Sequence, residues 1–283
     1  MITLPAPGKV NLYLRVTGRR PDGYHLLETA FQFLDLCDAI SLSDRADGRI
    51  EVAAVPGVAL EQDLCLRAAR ALQAIAPGRG AEIQVDKRIP IGAGLGGGSS
   101  DAATVLHGLD RLWGLGLGTE RLAAIGLGLG ADVPVFVRGR AAWAGGIGEV
   151  LEPTDSFPEP YYLLLDPGVV VSTRTIFEAP ELTRDSPALR IRAPSSADAV
   201  NDCLPVVEAR FPEVSAARAW LSRYGEARMS GTGAALFLAV AGREEAERIR
   251  EQVPAPWRAW VVRGLNGSPL LDALAAEARP GGA

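Results

Sequence analysis

The sequence is poor in cysteine and has no excess of positive charge. Its three cysteines are odd in number and lack metal-ligand spacing, which favours reduced thiols and a cytoplasmic protein: Cys37, Cys65 and Cys203. With 34 acidic against 29 basic residues, the formal net charge is −5. A nucleic-acid partner requires a basic surface, so none is expected.

Long apolar runs are also missing. No stretch approaches the ~18 consecutive apolar residues of a membrane-spanning helix, and no basic segment followed by an apolar run opens the chain. We therefore expect neither a membrane partner nor export. A chain of 283 residues with 48% hydrophobic and 22% charged residues is typical of a globular protein of two domains.

Prolines mark the expected domain boundary. Pro153, Pro158 and Pro160 surround a short polar segment, so we predict domains at residues 1–153 and 154–283. Strand and helix patterns alternate along the chain without a long parallel βαβ series. This alternation predicts the α+β class.

Glycine, in contrast, is concentrated in one stretch, Ile89–Thr104, which reads IPIGAGLGGGSSDAAT. Residues 82–89 before it alternate as a half-buried strand does, and apolar residues after it share one helical face. Either Ser99 or Ser100 can cap that helix. A strand, a glycine loop and a helix N-terminus in this order bring free N–H groups and a positive dipole end together. The stretch therefore predicts a binding site for a nucleotide phosphate.

Three more familiar glycine-rich segments fit this stretch less well. Gly92, Gly94 and Gly97 satisfy the dinucleotide pattern G-x-G-x-x-G, but the nearby acid, Asp110, lies inside the predicted helix instead of ending the next strand. A Walker A loop ends in Gly-Lys-Ser/Thr, and this loop contains no lysine. A flexible linker would lack the flanking strand and helix. The pattern favours a phosphate loop of another type.

A few polar residues elsewhere stand at turns. Lys9 and Asn11 follow Pro5, Pro7 and Gly8, which we expect to break regular structure before a strand at 11–16. Lys9 taken alone is typical of a solvated surface charge. Asp132 stands between a glycine turn and Pro134, where an aspartate commonly bonds to its own backbone. Tyr24 and His25 follow a Pro-Asp-Gly turn, a place for ligand contacts or for an inert surface histidine.

Several further elements are predicted from periodicity. Short apolar runs indicate strands at 135–137, 141–144, 161–165 and 169–172, and residues 31–42 resemble a buried pair of strands. Ser195 or Ser196 is expected to cap a helix that contains Asn201, Asp202 and Cys203. A second glycine motif, Ser230-Gly231-Thr232-Gly233, runs into a strand that ends at Val240.

Together these motifs resemble the GHMP kinases, the small-molecule kinases of galactose, homoserine, mevalonate and phosphomevalonate. The signature segments are PAPGKVNLYLRV, PIGAGLGGGSSDAAT and SGTGAALF, and the likeness extends from Pro5 to about Pro269. RPDGYH, GADVPVF and NDC are similar to members whose alcohol substrate carries a cytidine diphosphate moiety. The resemblance implies a domain like ribosomal protein S5 domain 2, followed by a ferredoxin-like domain. It also implies ATP, Mg²⁺ and a monomer or homodimer.

The resemblance assigns roles to residues that match its motifs. Lys9 and Asp132 would be catalytic, with Asp132 as the base. Four residues would bind the substrate: Asn11, Tyr24, His25 and Phe177. The nucleotide would lie against Pro90, Ile91, Gly92, Ala93, Gly94, Leu95, Gly96, Gly97, Gly98, Ser99 and Ser100. The chain departs from many relatives at Asp101, often asparagine there, and at Ala234 and Ala235, often proline, serine or threonine.

Other functions remain open from the residues alone. A nucleotide oxidoreductase would use the G-x-G-x-x-G pattern, although the loop's position is unsuited to it. A catalytically inactive relative would be expected to have lost Lys9 or Asp132, and both are present. A kinase of the mevalonate or homoserine type would give no reason for Tyr24 and Phe177 to hold a base.

Overall fold

The computed structural model describes residues 1–187, 189 and 200–278, and its centre is a long antiparallel hairpin. Strand β1 (Ile2–Arg19) and strand β2 (His25–Arg45) pair from Ile2 with Leu42 to Arg19 with His25, with shifts in register along the way. The expected break at Pro5 and Pro7 is wrong, because β1 runs through both. Among the named strands β1 pairs only with β2, and such an edge position tolerates the missing N–H of proline.

The first half surrounds this hairpin with strands and helices. The elements are β3 (Ile50–Val52), a 3₁₀ turn at Leu60–Gln62, α1 (Leu64–Gln73), β4 (Gly80–Asp86), α2 (Gly97–Leu112), α3 (Thr119–Leu127), α4 (Val133–Arg138), β5 (Ala142–Gly145) and β6 (Val150–Pro153). Strands β4 and β5 pair with β2, β3 lies parallel to β4, and β6 pairs with β5. A buried apolar cluster fills the space between the helices and the sheet.

Three further local predictions in this half are wrong. The strand expected at 135–137 lies in helix α4, which has a proline in its first turn and is buried along most of its length. A short apolar run cannot distinguish a buried helix from a buried strand. Neither serine caps α2, because Gly96 is its N-cap with a left-handed backbone, and Ser99 and Ser100 lie inside the helix. Residues 31–42 belong to the single strand β2.

The second half is an antiparallel sheet covered by helices. The elements are β7 (Tyr161–Asp166), α5 (Thr173–Phe177), α6 (Leu204–Arg210), α7 (Pro212–Leu221), β8 (Arg228–Met229), β9 (Leu236–Val240), α8 (Arg243–Arg250), β10 (Arg258–Leu265) and α9 (Pro269–Ala278). The strands lie in the order β10, β7, β9, β8, and the apolar core of this half is separate from that of the first half. The α+β class is confirmed.

Two predictions for this half concern the segment 169–172 and the helix expected around Asn201. The strand expected at 169–172 is wrong: the segment has no ladder partner among the described residues, and Ser172 caps helix α5 by accepting from Thr175 N at 3.4 Å. Ser195 and Ser196 lie outside the described residues. Asn201, Asp202 and Cys203 precede helix α6 instead of lying within a helix.

The two halves are joined along the sheet and through a third apolar cluster. Leu34 and Phe33 of β2 pair with the end of β10, and side chains of both halves pack together around Leu164 and Val262. The chain then returns to the first half, where Ser268 N donates to Gly139 O at 3.0 Å and α9 packs on β1. The domain boundary after residue 153 stays a prediction, and no helix of the described part could span a membrane.

Candidate active site

The two glycine motifs, predicted separately, lie against each other. Ser230 Oγ donates to Gly94 O at 2.9 Å, and Ala235 N donates to Ala93 O at 3.0 Å. A Cβ on Gly94 would lie 2.3 Å from Ser230 O, and Gly94 has a φ of 76°. This glycine therefore permits the close approach of another protein loop, besides shaping the phosphate loop itself.

A cavity of about 530 Å³ opens where the loop meets the first turn of α2. Every residue predicted to bind the nucleotide lines it except Ser100, which is fully buried. Ser100 does not line the cavity as Ser99 does, and its buried hydroxyl has no hydrogen-bond partner among the described residues. The free amides of the α2 N-terminus suit an anion at this position.

Lys9 is buried at the floor of this cavity, with 3% of its surface exposed, which excludes the solvated surface charge. Its Nζ donates to Asn11 Oδ1 at 2.6 Å and to Gly94 O at 2.9 Å. Burial lowers the pKa of this ammonium, and the nearby Asp132 carboxylate partly opposes that shift. The hydrogen bonds fix the direction in which the amine points.

Asp132 also lines the cavity, and its carboxylate faces the amine of Lys9. Its Oδ2 lies 3.5 Å from Lys9 Nζ, and its side chain is 35% exposed to the cavity. Asp132 stands at the N-cap position of α4, yet its side chain makes no capping hydrogen bond. The carboxylate is therefore available to a ligand, and the bond to its own backbone that its sequence position suggested does not occur within the described part of the chain.

The neighbouring polar residues hold Lys9 and the two loops together. Asn11 Nδ2 donates to Thr29 Oγ1 at 2.8 Å, and Asn11 N donates to Ser230 Oγ at 3.1 Å. Asn201 Nδ2 donates to the carbonyl oxygens of Met229 and Gly231, at 2.9 and 2.8 Å. Asn11 and Asn201 thus connect the strand that carries Lys9 to the second glycine motif.

Sequence reasoning missed a charged cluster below the phosphate loop. Lys87 Nζ lies 2.5 Å from Asp38 Oδ2 and 2.8 Å from Asp101 Oδ2. Burial raises the pKa of Asp101 to about 7, although Lys87 opposes that shift. The Asp38 and Asp101 carboxylates raise the pKa of Lys87 despite its burial. Lys87 directly follows the strand that enters the loop, a position that could have signalled this cluster.

The residues expected to hold a base lie at the side of the cavity. Phe177 lines it, whereas Tyr24 and His25 do not. His25 is buried and its ring stacks on Phe177, with centroids 5.2 Å apart and planes at 21°. Tyr24 is 60% exposed. A base held between Tyr24 and Phe177 would therefore use the face of Phe177 that His25 leaves open.

Comparison with known families decides the class of protein. Residues 63–140 match the GHMP kinases N terminal domain, and residues 184–259 match the GHMP kinases C terminal domain. The chain belongs to the GHMP kinases. As a GHMP kinase it is an ATP-dependent kinase of a small molecule, with the glycine loop inside the matched N-terminal segment.

Individual relatives of this GHMP kinase support the same family assignment. It is 53% identical over 281 residues to a 4-diphosphocytidyl-2-C-methyl-D-erythritol kinase from Halorhodospira halophila, with 98% of each chain covered. A crystal structure of 4-(cytidine 5'-diphospho)-2C-methyl-D-erythritol kinase is 34% identical with a TM-score of 0.82, covering 94% of this chain and 100% of that one. A crystal structure of mevalonate kinase shares the fold, at 16% identity, a TM-score of 0.68 and the same coverage of the two chains.

Proposed function

We propose that this GHMP kinase transfers the γ-phosphoryl group of ATP to the 2-hydroxyl of 4-diphosphocytidyl-2-C-methyl-D-erythritol. The products would be the 2-phosphate and ADP, a step of the non-mevalonate route to isoprenoid precursors. The relatives that carry this name cover nearly the whole chain. The observation that carries the chemistry is the pair of Lys9 and Asp132, 3.5 Å apart beside the phosphate loop.

The pair suits phosphoryl transfer to an alcohol. A tertiary hydroxyl is a weak nucleophile while neutral, so the transfer benefits from a base that accepts its proton. The Asp132 carboxylate faces the cavity and is the acceptor in this proposal. The Lys9 ammonium lies close enough to stabilise the substrate oxygen and the charge that develops on the transferring phosphoryl group.

The phosphate loop binds the nucleotide in this proposal. Amides from residues 90–99 and the Ser99 hydroxyl would hold the phosphates at the positive end of α2. No group of three or more metal-binding side chains occurs within the described ranges. Mg²⁺ usually keeps several waters and is held largely by substrate phosphates in nucleotide sites, which is compatible with this lining. The metal would neutralise phosphate charge when it is bound.

The remaining expectations belong to the same proposal. The cytosine would be held at the side of the cavity by Tyr24, His25 and Phe177. Asn11 would contact the substrate while it also accepts the hydrogen bond from Lys9. We also still expect a cytoplasmic protein that is a monomer or a homodimer. No nucleic-acid partner is expected.

A substrate screen tests this function. ADP formation is measured with ATP and one of three alcohols: the cytidine diphosphate substrate, mevalonate or homoserine. We expect turnover only with the first, and Asp132→Asn serves as the control for contaminating kinases. Equal or better turnover of mevalonate or homoserine would assign the chain to another GHMP activity.

A further inference from the structure

Two threonine hydroxyls meet at the wall of the cavity. Thr173 Oγ1 lies 3.0 Å from Thr232 Oγ1, and both residues line the cavity. Thr173 begins helix α5, and Thr232 belongs to the second glycine motif, where it is buried with 6% of its surface exposed. Among the residues that the structure describes, neither hydroxyl has another hydrogen-bond partner. Neither takes part in the contacts that hold Lys9 and Asp132.

The pair leaves one O–H group free for a ligand. A hydroxyl has one donor hydrogen and two acceptor lone pairs. Whichever threonine donates within the pair, the hydrogen of the other meets no acceptor in the described part of the chain. Because hydrogen bonds in a chain polarise one another, the hydroxyl that accepts becomes the better donor. A phosphate oxygen accepts such a bond more strongly than a neutral oxygen does.

One side of the pair leads to the Lys9 amine. Lys9 Nζ donates to Asn11 Oδ1 at 2.6 Å. A Cβ on Gly231 would lie 3.3 Å from the same Asn11 Oδ1, so the second glycine motif passes directly beside the residue that holds the amine. Thr232 is the next residue of that motif. The threonine pair is thus one residue removed from the immediate neighbours of Asn11.

The other side of the pair leads to Phe177. Thr173 and Phe177 are four residues apart on helix α5, which places their side chains on the same face of the helix. Both residues line the cavity, as do Lys9 and Asp132. Along the cavity wall the order is therefore the pair of Lys9 and Asp132, the two threonines, and the ring of Phe177.

The proposed acceptor substrate carries its groups in the same order. Its reacting hydroxyl is on C2, a diphosphate begins at the C4 oxygen, and the cytidine follows the diphosphate. With the hydroxyl beside Lys9 and Asp132 and the base beside Phe177, the diphosphate falls at the two threonines. The ATP phosphates, in contrast, lie along residues 90–99 in the proposed function.

We propose that Thr173 and Thr232 bind the diphosphate of the acceptor substrate, with the free O–H of the pair donating to a phosphate oxygen. This inference rests on the proposed cytidine substrate. It gives the site a contact that alcohols without a diphosphate, such as mevalonate and homoserine, cannot make. The two threonines therefore contribute to the choice of acceptor.

Spectra of the unmodified protein test the position of the pair first. Threonine methyl groups labelled with ¹³C are observed while saturating ADP occupies the phosphate loop. The variants Thr173→Ser and Thr232→Ser, which lack the methyl group, assign the two signals. We expect both signals to shift on addition of CDP and to shift much less on addition of cytidine. Shifts of equal size with the two compounds, or no shift with CDP, would overturn the inference.

The double variant Thr173→Val/Thr232→Val keeps the shape of both side chains and removes both hydroxyls. We expect its Kd for CDP, measured by calorimetry with ADP present, to rise roughly 10-fold, the loss of one hydrogen bond to a charged group. Its Kd for cytidine and its KM for ATP should stay within about 2-fold, because the contacts to the base and to the ATP phosphates are unaltered. The double variant Thr173→Ser/Thr232→Ser, which keeps both hydroxyls, should bind CDP like the parent. A rise in KM for ATP alone would assign the hydroxyls to the nucleotide and reject the proposal.

Thr175→Val is the matched control. Thr175 lies on the same helix but does not line the cavity, and its hydroxyl makes no hydrogen bond among the described residues. We expect this variant to leave the Kd for CDP and for cytidine unchanged. Equal losses in the control and in the double valine variant would mean that a weakened helix α5 causes the effect and that the hydroxyls do not bind the diphosphate.

The pattern of binding and turnover distinguishes this inference from the proposed function. If the parent phosphorylates the cytidine substrate and the double valine variant binds CDP as tightly as the parent does, the role of the threonines is rejected and the proposed function stands. If the parent binds neither CDP nor cytidine and does not phosphorylate the cytidine substrate, the proposed function is wrong and the inference falls with it.

Discussion

The position of Asp132 allows two roles, a carboxylate bonded to the backbone or one that faces a ligand, and its contacts distinguish them. A carboxylate at a helix N-terminus commonly accepts from backbone N–H groups, but the side chain of Asp132 makes no such bond. It faces Lys9 instead, across 3.5 Å. Lys9 in turn binds Asn11 and the Gly94 carbonyl, so a change at Lys9 affects the loop as well as the chemistry.

The substitution Asp132→Asn tests the base at the residue scale. It keeps the shape and removes the charge, so kcat should fall by about 10²- to 10⁴-fold, the usual contribution of a positioned base. KM for both substrates should change only a few-fold, because shape and hydrogen bonding are preserved. Single-turnover phosphoryl transfer is the measurement, and Asp86→Asn, which removes a carboxylate from an exposed ion pair, is the control.

Lys9→Met and the double variant complete this test. The double variant should lose less than the product of the two single losses, because the two groups act together. Retention of most of the single-turnover rate by Asp132→Asn would show that Asp132 is not the base.

Asp101 makes stability depend on pH. Its pKa is raised to about 7 by burial, so the folded chain holds a proton there that the unfolded chain releases near its ordinary value of 3.8. The unfolded state thus binds fewer protons between these values, and this group makes the folded state less stable as pH rises through that window. Asp38 binds Lys87 at the shorter distance, which leaves Asp101 less well compensated.

Asp101→Asn should remove this dependence. Below about pH 3.8 the variant and the parent should differ little through this group, because the parent carboxyl is protonated in both the folded and the unfolded state. From there the difference should grow up to about pH 7 and then level off. Near pH 8 the variant should gain in free energy of unfolding relative to the parent. Denaturant titrations at pH 5, 6, 7 and 8 measure the difference, and a difference that stays constant or falls with pH would reject the assignment.

At the scale of elements, the contact between the two glycine motifs positions the phosphate loop. Gly94→Ala would place a methyl group 2.3 Å from Ser230 O, at a φ of 76°. A left-handed backbone alone disfavours alanine by ~1–2 kcal/mol. Because this clash adds to that strain, the variant should lose more free energy of unfolding than the backbone effect alone, and KM for ATP should rise.

The control variant Gly116→Ala distinguishes the strain of a left-handed backbone from the clash with Ser230 O. Gly116 has a similar φ of 64° and no atom within 4 Å of the added Cβ. We expect it to lose only the backbone contribution, with KM for ATP unchanged. Urea unfolding and initial-rate kinetics measure both variants, and equal effects at the two positions would show that the contact between the loops does not matter.

At the scale of the whole molecule, the cluster around Leu164 links the two halves. Leu164 of β7 is fully buried among side chains from both halves. The return of α9 to β1 adds a second connection. These contacts predict that the halves unfold together, although their larger cores are separate.

Leu164→Ala should therefore weaken the entire chain. A buried leucine-to-alanine change commonly destabilises by ~2–5 kcal/mol. Under conditions where exchange reports equilibrium opening, mass spectrometry should show faster amide hydrogen exchange in peptides from β4 and α2 as well as from β7 and β9. Faster exchange confined to the second half would mean that the halves unfold independently.

Much of the local chemistry was determined by the sequence. The strand, glycine loop and helix around residue 92 were predicted from periodicity and glycine content, and the loop lines the cavity as expected. The family also followed from motifs in the right order. These features are local, because glycine content, hydrophobic period and residue type act over a few neighbours along the chain.

Contacts between distant segments were decided only by the tertiary structure. The burial of Lys9, its pairing with Asp132 and the packing of Ser230 on Gly94 join residues more than 100 positions apart. The same holds for helix α4, where tertiary burial overrode a strand-like apolar run. Periodicity reports which face of a segment is buried but not what covers it, so charge pairs and loop contacts required the fold.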